Sequence, residues 1–275
     1  MSDDSLTIPR KKVVSPAVLT VGGSDPSGGA GVQADLKTFA ALGAYGASVL
    51  TLATDCTTEG VEDLHLLPPN FVVRQLERVA SDLHLGAAKT GMLYDADLIE
   101  AVATVIDRLT LAPLVVDPVV TTRRGETLLS PDAVAAMRDL IGRATVTTPS
   151  RPEAEVLAEV SIHSRSDMKR VASLLRERLG PEHVVITGGH GDDDVAADLW
   201  FNGTEARWLR ASRQPYAVHG AGDTFSAALA AGLADGRCVE QSLQRAKAFV
   251  TDAIRHAPDR GHGHRPLAHR AGFPA

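Results

Sequence analysis

The chain has only two cysteines in 275 residues, Cys56 and Cys238, and no CxxC pair. A disulfide framework and a cysteine-held zinc are thereby excluded. Aromatic residues are scarce at 4%, so within a hydrophobic fraction of 44% the core has to be built from alanine, valine and leucine. There is no excess of positive charge: the net charge is −6 and the isoelectric point about 5.9, which argues against nucleic acid as a partner. The one basic cluster, Arg10-Lys11-Lys12, sits in a polar arm and reads as solvated. No apolar run reaches the length of a membrane span, and the N-terminus carries no signal-peptide hydrophobic stretch. The expectation is a cytoplasmic protein that handles a small molecule, with no membrane and no nucleic acid as partner.

Residues 1–15 are expected to form a flexible arm, and residues 16–275 a single domain without linker or internal repeat. Short β-branched runs alternate with amphipathic stretches. Strands are expected at Ala17–Val21, Ser48–Ala53, Ala87–Thr90, Leu114–Asp117, Thr145–Thr148 and His183–Thr187. Helical spacing covers Gly31–Leu42, Asn70–Leu83, Ala96–Leu109, Pro131–Ile141, Glu153–Glu159 and Asp167–Leu179. Strand followed by helix, repeated, is the pattern of a mostly parallel sheet covered on both faces. Val195–Phe201 and Ala206–Ala211, joined through Asn202-Gly203, form a hairpin pattern expected at one sheet edge. Helices at Ala221–Ala234 and Glu240–His256 follow, and then a tail rich in glycine and histidine.

The most informative segment is HGAGDTFSAALAAGLA, residues 219–234. The first N–H groups of a helix have no intrahelical partner, and that end is electropositive. Gly220 and Gly222, on either side of Ala221, would let the backbone approach an anion closely. Asp223 would repel a phosphate, yet it suits a base that takes a proton from a hydroxyl attacking one. The plain alternative is a glycine-started core helix with Asp223 as its first-turn dipole partner.

In an open parallel sheet, ligands gather at the carboxyl ends of the strands. GGSDPSGGAGVQADLK, residues 22–37, follows the first strand and presents Gln33 and Asp35 from the next helix. Asp117 ends the Leu114–Asp117 strand, where a carboxylate can hold magnesium through water. Glu153 opens a helix after Thr147-Thr148-Pro149-Ser150, as a second oxygen ligand for magnesium or its waters, or as simple dipole compensation. Thr187-Gly188-Gly189-His190 ends the last of these strands, where glycines can cradle phosphates. The tail GHGHRPLAH, residues 261–269, offers histidines without the convergence a metal site needs.

In order and across most of the chain from about residue 17, these stations resemble the ribokinase-like family of ATP-dependent small-molecule kinases. The hydroxymethylpyrimidine/phosphomethylpyrimidine kinase branch is the nearest. VGGSDPSGGAGVQADLKTFAALGAYG, KTGML at 89–93, DPV at 117–119, TTPSRPEAE at 147–155 and TGGH at 187–190 carry the resemblance, with the 219–234 segment. It implies an α/β three-layer sandwich, mostly parallel with a small antiparallel edge, acting as a homodimer with ATP and Mg²⁺. It implies that Gly23, Asp35, Met92, Val119 and His219 line a pyrimidine pocket, with Asp35 at the polar edge of the ring. Residues Gly220 to Asp223 would form the anion hole, Asp117 and Glu153 would support Mg²⁺, and Ser150, Thr187 and Gly189 would handle ATP phosphates. Within that branch a cysteine usually stands at the place of Asp223, a pyrimidine-binding glutamine at Cys56, an asparagine at Ser150 and a lysine at Thr187. Arg123 or Arg124, in the loop after DPV, could partly compensate for the lost charge. Two other functions follow from these departures: a pyridoxal/pyridoxine kinase, with the Cys56 thiol near an aldehyde, and a sensor that binds without turnover.

Overall fold

The computed structural model describes residues 15–122, 126–189 and 194–270. The basic cluster at 10–12, Arg123, Arg124 and His190 lie outside the described residues, as does nearly all of the expected arm.

The chain begins with β1 (Ala17–Ser24), α1 (Gly31–Ala41), β2 (Tyr45–Cys56), β3 (Val61–Leu66) and α2 (Pro69–Asp82). It continues through β4 (Leu85–Thr90), α3 (Ala96–Leu109), β5 (Leu114–Val116), α4 (Pro131–Ile141) and β6 (Val146–Thr147). Next come α5 (Arg151–Ala158), α6 (Arg165–Leu179), β7 (His183–Ile186), β8 (Val195–Phe201) and β9 (Ala206–Ser212). The last elements are β10 (Val218–His219), α7 (Ala221–Ala234), α8 (Val239–Arg255) and β11 (Arg265–Pro266).

Among the described residues, β3-β2-β1-β4-β5-β6-β7-β8-β9 form a nine-stranded sheet, and β10 and β11 a separate pair. The six central strands run parallel, while β3 at one edge and β8-β9 at the other are antiparallel. Antiparallel additions therefore flank both edges and not only one. Between β6 and β7 two helices follow in succession, and β7 runs directly into the hairpin, so the strand-helix alternation stops one unit early.

Successive strand residues face opposite ways, which divides the core into two clusters. Leu19, Leu114 and Val116 pack with α2 through α6 on one face. Val18, Val115 and Val185 pack with α1, α7 and α8 on the other. Local signals set the helix starts. Asp95 caps α3 by accepting the Leu98 N–H at 2.8 Å, and Ser130 followed by Pro131 opens α4. Helix α7 is buried along Thr224–Leu233, which its small residues permit; a Cβ on Gly232 would come within 2.7 Å of Ser242 Oγ on α8. Close α7–α8 contact, resting on the sheet, holds the start of α7 at the carboxyl edge of the parallel strands.

Candidate active site

The carboxyl ends of β1, β4 and β5 meet the N-terminus of α7. Gly220 opens that helix at φ +86°, and a Cβ there would also collide with the Gly29 carbonyl, so the position requires glycine twice over. A Cβ on Gly222 would meet nothing within 4 Å. Beside this turn lies a cavity of about 830 Å³ whose wall includes His219, Gly220, Ala221, Gly222, Asp223 and Gly189. The structure thus unites Gly189 with the 219–223 turn around one nucleotide-sized hollow.

Asp223 keeps 21% of its side chain exposed at the hollow, but it is not a free carboxylate. Its Oδ1 accepts a hydrogen bond from Lys89 Nζ at 3.0 Å. Burial pushes Asp223 up, but Lys89, the Gly31 N–H and His219 reverse this and hold it below the usual carboxylate range. It therefore stays ionised, able to accept a proton once the hydroxyl's own acidity rises in the reaction.

Lys89 is fully buried on β4 and also donates to both oxygens of Asp35, at 2.8 and 2.9 Å. Thr20 Oγ1 donates to Asp35 Oδ2 at 2.6 Å. Burial alone would push Lys89 down; Asp35, Asp223 and Asp117 outweigh it and keep the ammonium charged. Burial likewise pushes Asp35 up to about 7, against the pull of Lys89. Asp35 is 1% exposed, with both oxygens engaged inside the protein. This corrects the expectation that it faces the ring of a substrate. Lys89 had no role in the sequence reading, although a lysine in the buried strand LGAAKT was itself a signal.

Asp117, just past β5, accepts from Ser226 Oγ at 2.8 Å, and burial pushes it up to about 6. Glu153 is equally buried and pushed up to about 7, first by burial and then by Asp117. Its oxygens are committed: Oε2 accepts from Ser150 N and Oγ, both at 2.7 Å, and Oε1 from Val120 N at 3.2 Å. Glu153 thus anchors the loop after β6, and Ser150 spends its hydroxyl there while bridging to Thr187. With its oxygens so engaged, Glu153 would act on magnesium through the ion's waters, one form of the expected role. The donor set still fits a magnesium ion, which takes few carboxylates and keeps its waters. Two buried acids repel one another, and the Thr90 hydroxyl beside them at the strand ends is buried without a hydrogen-bond partner. Thr148 favours the Asp117 carboxylate but makes no well-formed hydrogen bond.

Asp25, absent from the sequence reading, ties three segments together. It accepts from Ser27 N at 2.8 Å and Ala30 N at 2.7 Å, pairs with His219 Nε2 at 2.8 Å, and accepts from Cys56 Sγ at 3.0 Å. Burial opposes its charge, but these partners hold Asp25 far below the usual range. The Cys56 thiol is pushed up, by burial first and by Asp25. Gly23 lies buried against Leu52, the Met92 carbonyl accepts from Thr51 Oγ1 at 2.7 Å, and half-buried Val119 follows Asp117. These residues flank the cluster and do not form the wall of the large hollow.

Lys247 also lines the hollow; its Nζ pairs with Asp198 Oδ2 at 2.8 Å, and Asp198 Oδ1 accepts from Gly188 N at 2.9 Å. Arg213 donates to the Gly189 carbonyl at 2.6 Å. Positive charge thus stands beside the Thr187–Gly189 loop, which itself carries none. The tail is tied down and not loose: Gly263 N donates to Thr58 Oγ1, β11 pairs with β10, and His269 is buried against Thr224. Among the described residues no cluster of histidine, cysteine and acid groups could hold a metal on its own, and no helix is long and apolar enough to cross a membrane.

Residues 25–268 match the phosphomethylpyrimidine kinase family. The hydroxymethylpyrimidine/phosphomethylpyrimidine kinase of Streptomyces coelicolor is 42% identical, over 96% of this chain and 98% of that protein. The thiamine biosynthesis bifunctional protein of Geobacter sulfurreducens is 41% identical over 92% of this chain, which spans about half, 52%, of that longer protein. Among solved structures, the pyridoxal kinase of Staphylococcus aureus in complex with AMP-PCP and pyridoxal matches with TM-score 0.86 and 36% identity, covering 94% of each chain. The phosphomethylpyrimidine kinase of Clostridium difficile matches with TM-score 0.79 and 36% identity, covering 87% of this chain and 100% of that one. With its strand order, glycine-started helix and acid-lined strand ends, the chain belongs to the phosphomethylpyrimidine kinase family of vitamin-pathway kinases.

Proposed function

We propose that this protein transfers the γ-phosphate of ATP to the hydroxymethyl group of an aminopyrimidine, and then a second phosphate to the monophosphate, in thiamine biosynthesis. The observation that carries the reading is the Asp223 carboxylate lining the hollow from the first turn of α7. The N–H groups of Ala221, Gly222 and Asp223 face where charge would build on the transferring phosphate, and Asp223 would take the hydroxyl proton. Positioning and electrostatics would supply most of the rate gain. Asp117 would hold Mg²⁺ through water, with Glu153 as the second charge; the ion would neutralise phosphate oxygens. Gly189, with Lys247 and Arg213 beside it, would lie along the ATP phosphates, and His219 and Met92 toward the alcohol. A homodimer in the cytoplasm belongs to the same reading.

The pyridoxal kinase reading has one observation in its favour, the TM-score of 0.86 against 0.79. Against it, the Cys56 thiol is raised and bonded to Asp25, which leaves little thiolate to add to an aldehyde. A sensor without turnover gains nothing from an ionised acid beside an anion-binding turn. The test is to give the purified protein ATP, Mg²⁺ and, in parallel, hydroxymethylpyrimidine, its monophosphate and pyridoxal. The expected result is a higher kcat/KM for the pyrimidines. A preference for pyridoxal, or tight binding without ADP formation, would overturn the proposal.

A further inference from the structure

Lys89 is costly to bury. An ammonium taken out of water loses several kcal/mol of solvation, and a well-packed apolar residue often serves stability as well or better. Its surroundings are nevertheless complete: Asp35 holds it with both oxygens, Thr20 holds Asp35, and the remaining hydrogen bond goes to Asp223 Oδ1. The path runs from β1 through α1 and β4 to the first turn of α7. Gly91 keeps it compact, since a Cβ there would lie 3.4 Å from Lys89 Nζ and 3.8 Å from Asp223 Oδ1. Asp223 has the only exposed carboxylate along this path.

We propose that Lys89 and Asp35 act together as positioning residues for phosphoryl transfer: Asp35 anchors Lys89, and Lys89 fixes the Asp223 carboxylate at the anion-binding turn. Asp35 therefore works through Lys89 and not by contact with the substrate ring. The inference rests on the phosphoryl-transfer reading above for its consequence, but the placement of Asp223 can be tested without turnover.

Two variants separate the possibilities. Asp35→Asn leaves the Lys89–Asp223 pair in place while loosening its anchor. It is expected to lower kcat about 10-fold with KM for the alcohol changed less than threefold, on the scale of a misplaced catalytic group. A rise of 10-fold or more in that KM at unchanged kcat would instead make Asp35 a substrate contact and overturn the proposal. Lys89→Met alone would strand the buried Asp35 and the partly exposed Asp223 without their cation and endanger folding, so it is combined with Asp35→Asn, which removes one of the two charges. The double variant is expected to lower kcat roughly 100-fold. Its crystal structure should show the Asp223 carboxylate displaced from beside Gly91. Asp223 in its original place, or wild-type kcat, overturns the inference. Should the wild-type protein phosphorylate none of the alcohols, the proposed function falls, and the crystal structure still decides the role of Lys89.

Discussion

Two lysine–aspartate clusters sheltered from solvent reach the wall of one hollow, through Asp223 and through Lys247, and their charge balance differs. Lys89 is fully buried, paired with Asp35 and Asp223, and close enough to Asp117 to feel its charge. Lys247 is 14% exposed and pairs one to one with Asp198, which also receives the Gly188 N–H. At the Lys89 end acids outnumber the cation, so a polyanion can approach only if another cation comes with it. At the Lys247 end cation and carboxylate stand one to one, and Arg213 donates to the Gly189 carbonyl. On the proposed function, this contrast would suit a phosphate chain with its transferring end at α7 and a magnesium ion at the acid side.

Substitutions at each end would break or sharpen this contrast. The largest effect is expected at the acid-rich end. Asp117→Asn keeps an acceptor for Ser226 but removes a charge, and should lower kcat roughly 100-fold or more, as loss of an electrostatic stabiliser does. It should also raise the Mg²⁺ concentration needed for half-maximal rate; a magnesium titration of turnover checks both. At the balanced end Lys247→Met should act on binding. KM for ATP is expected to rise about 10-fold, the scale of a charge-assisted hydrogen bond, with kcat little changed. An equal fall in kcat would show that the two ends do not divide the work.

The smallest effect concerns the tail beneath α7. Burial pushes His269 down to about 4 from its ordinary 6.5. Between those values the unfolded chain binds a proton that the folded chain refuses, so the stability is complete above pH 6.5 and is lost as pH falls toward 4. His269→Gln can still meet the Thr224 hydroxyl but does not titrate. Its Tm should fall less than the wild-type Tm between pH 6.5 and 4; parallel slopes would assign the acid sensitivity elsewhere.

How much of this was legible in the sequence depended on how local each signal was. The bounds of α3, α4 and α7 could be read to the residue because Asp95, Ser130-Pro131 and Gly220 mark them within a turn. Strand β3 was missed because VEDLHL lies at an edge, largely exposed, with no buried alternation to reveal it. The two-residue strands β10 and β11 gain their pairing only from the returning tail. At the site, the strand-end rule located Asp117, Gly189 and the 220–223 turn. Lys89 and Asp35 are 54 positions apart, and nothing local records their pairing. The same distance hid the true environment of Asp35, whose exposure toward a ligand was expected and whose oxygens are in fact closed in. The Asp25 cluster was missed for a related reason: its partners Cys56 and His219 come from widely separated segments.

The central claim is that Asp223 serves the phosphoryl transfer itself and not merely the packing of α7. Its most direct test is a single-turnover measurement, with ATP and Mg²⁺ bound to excess enzyme before mixing with hydroxymethylpyrimidine, comparing wild type with Asp223→Ala. The account predicts transfer slowed about 100-fold or more with ATP affinity retained, the usual scale for a positioned base. Transfer at the wild-type rate in that variant would contradict it.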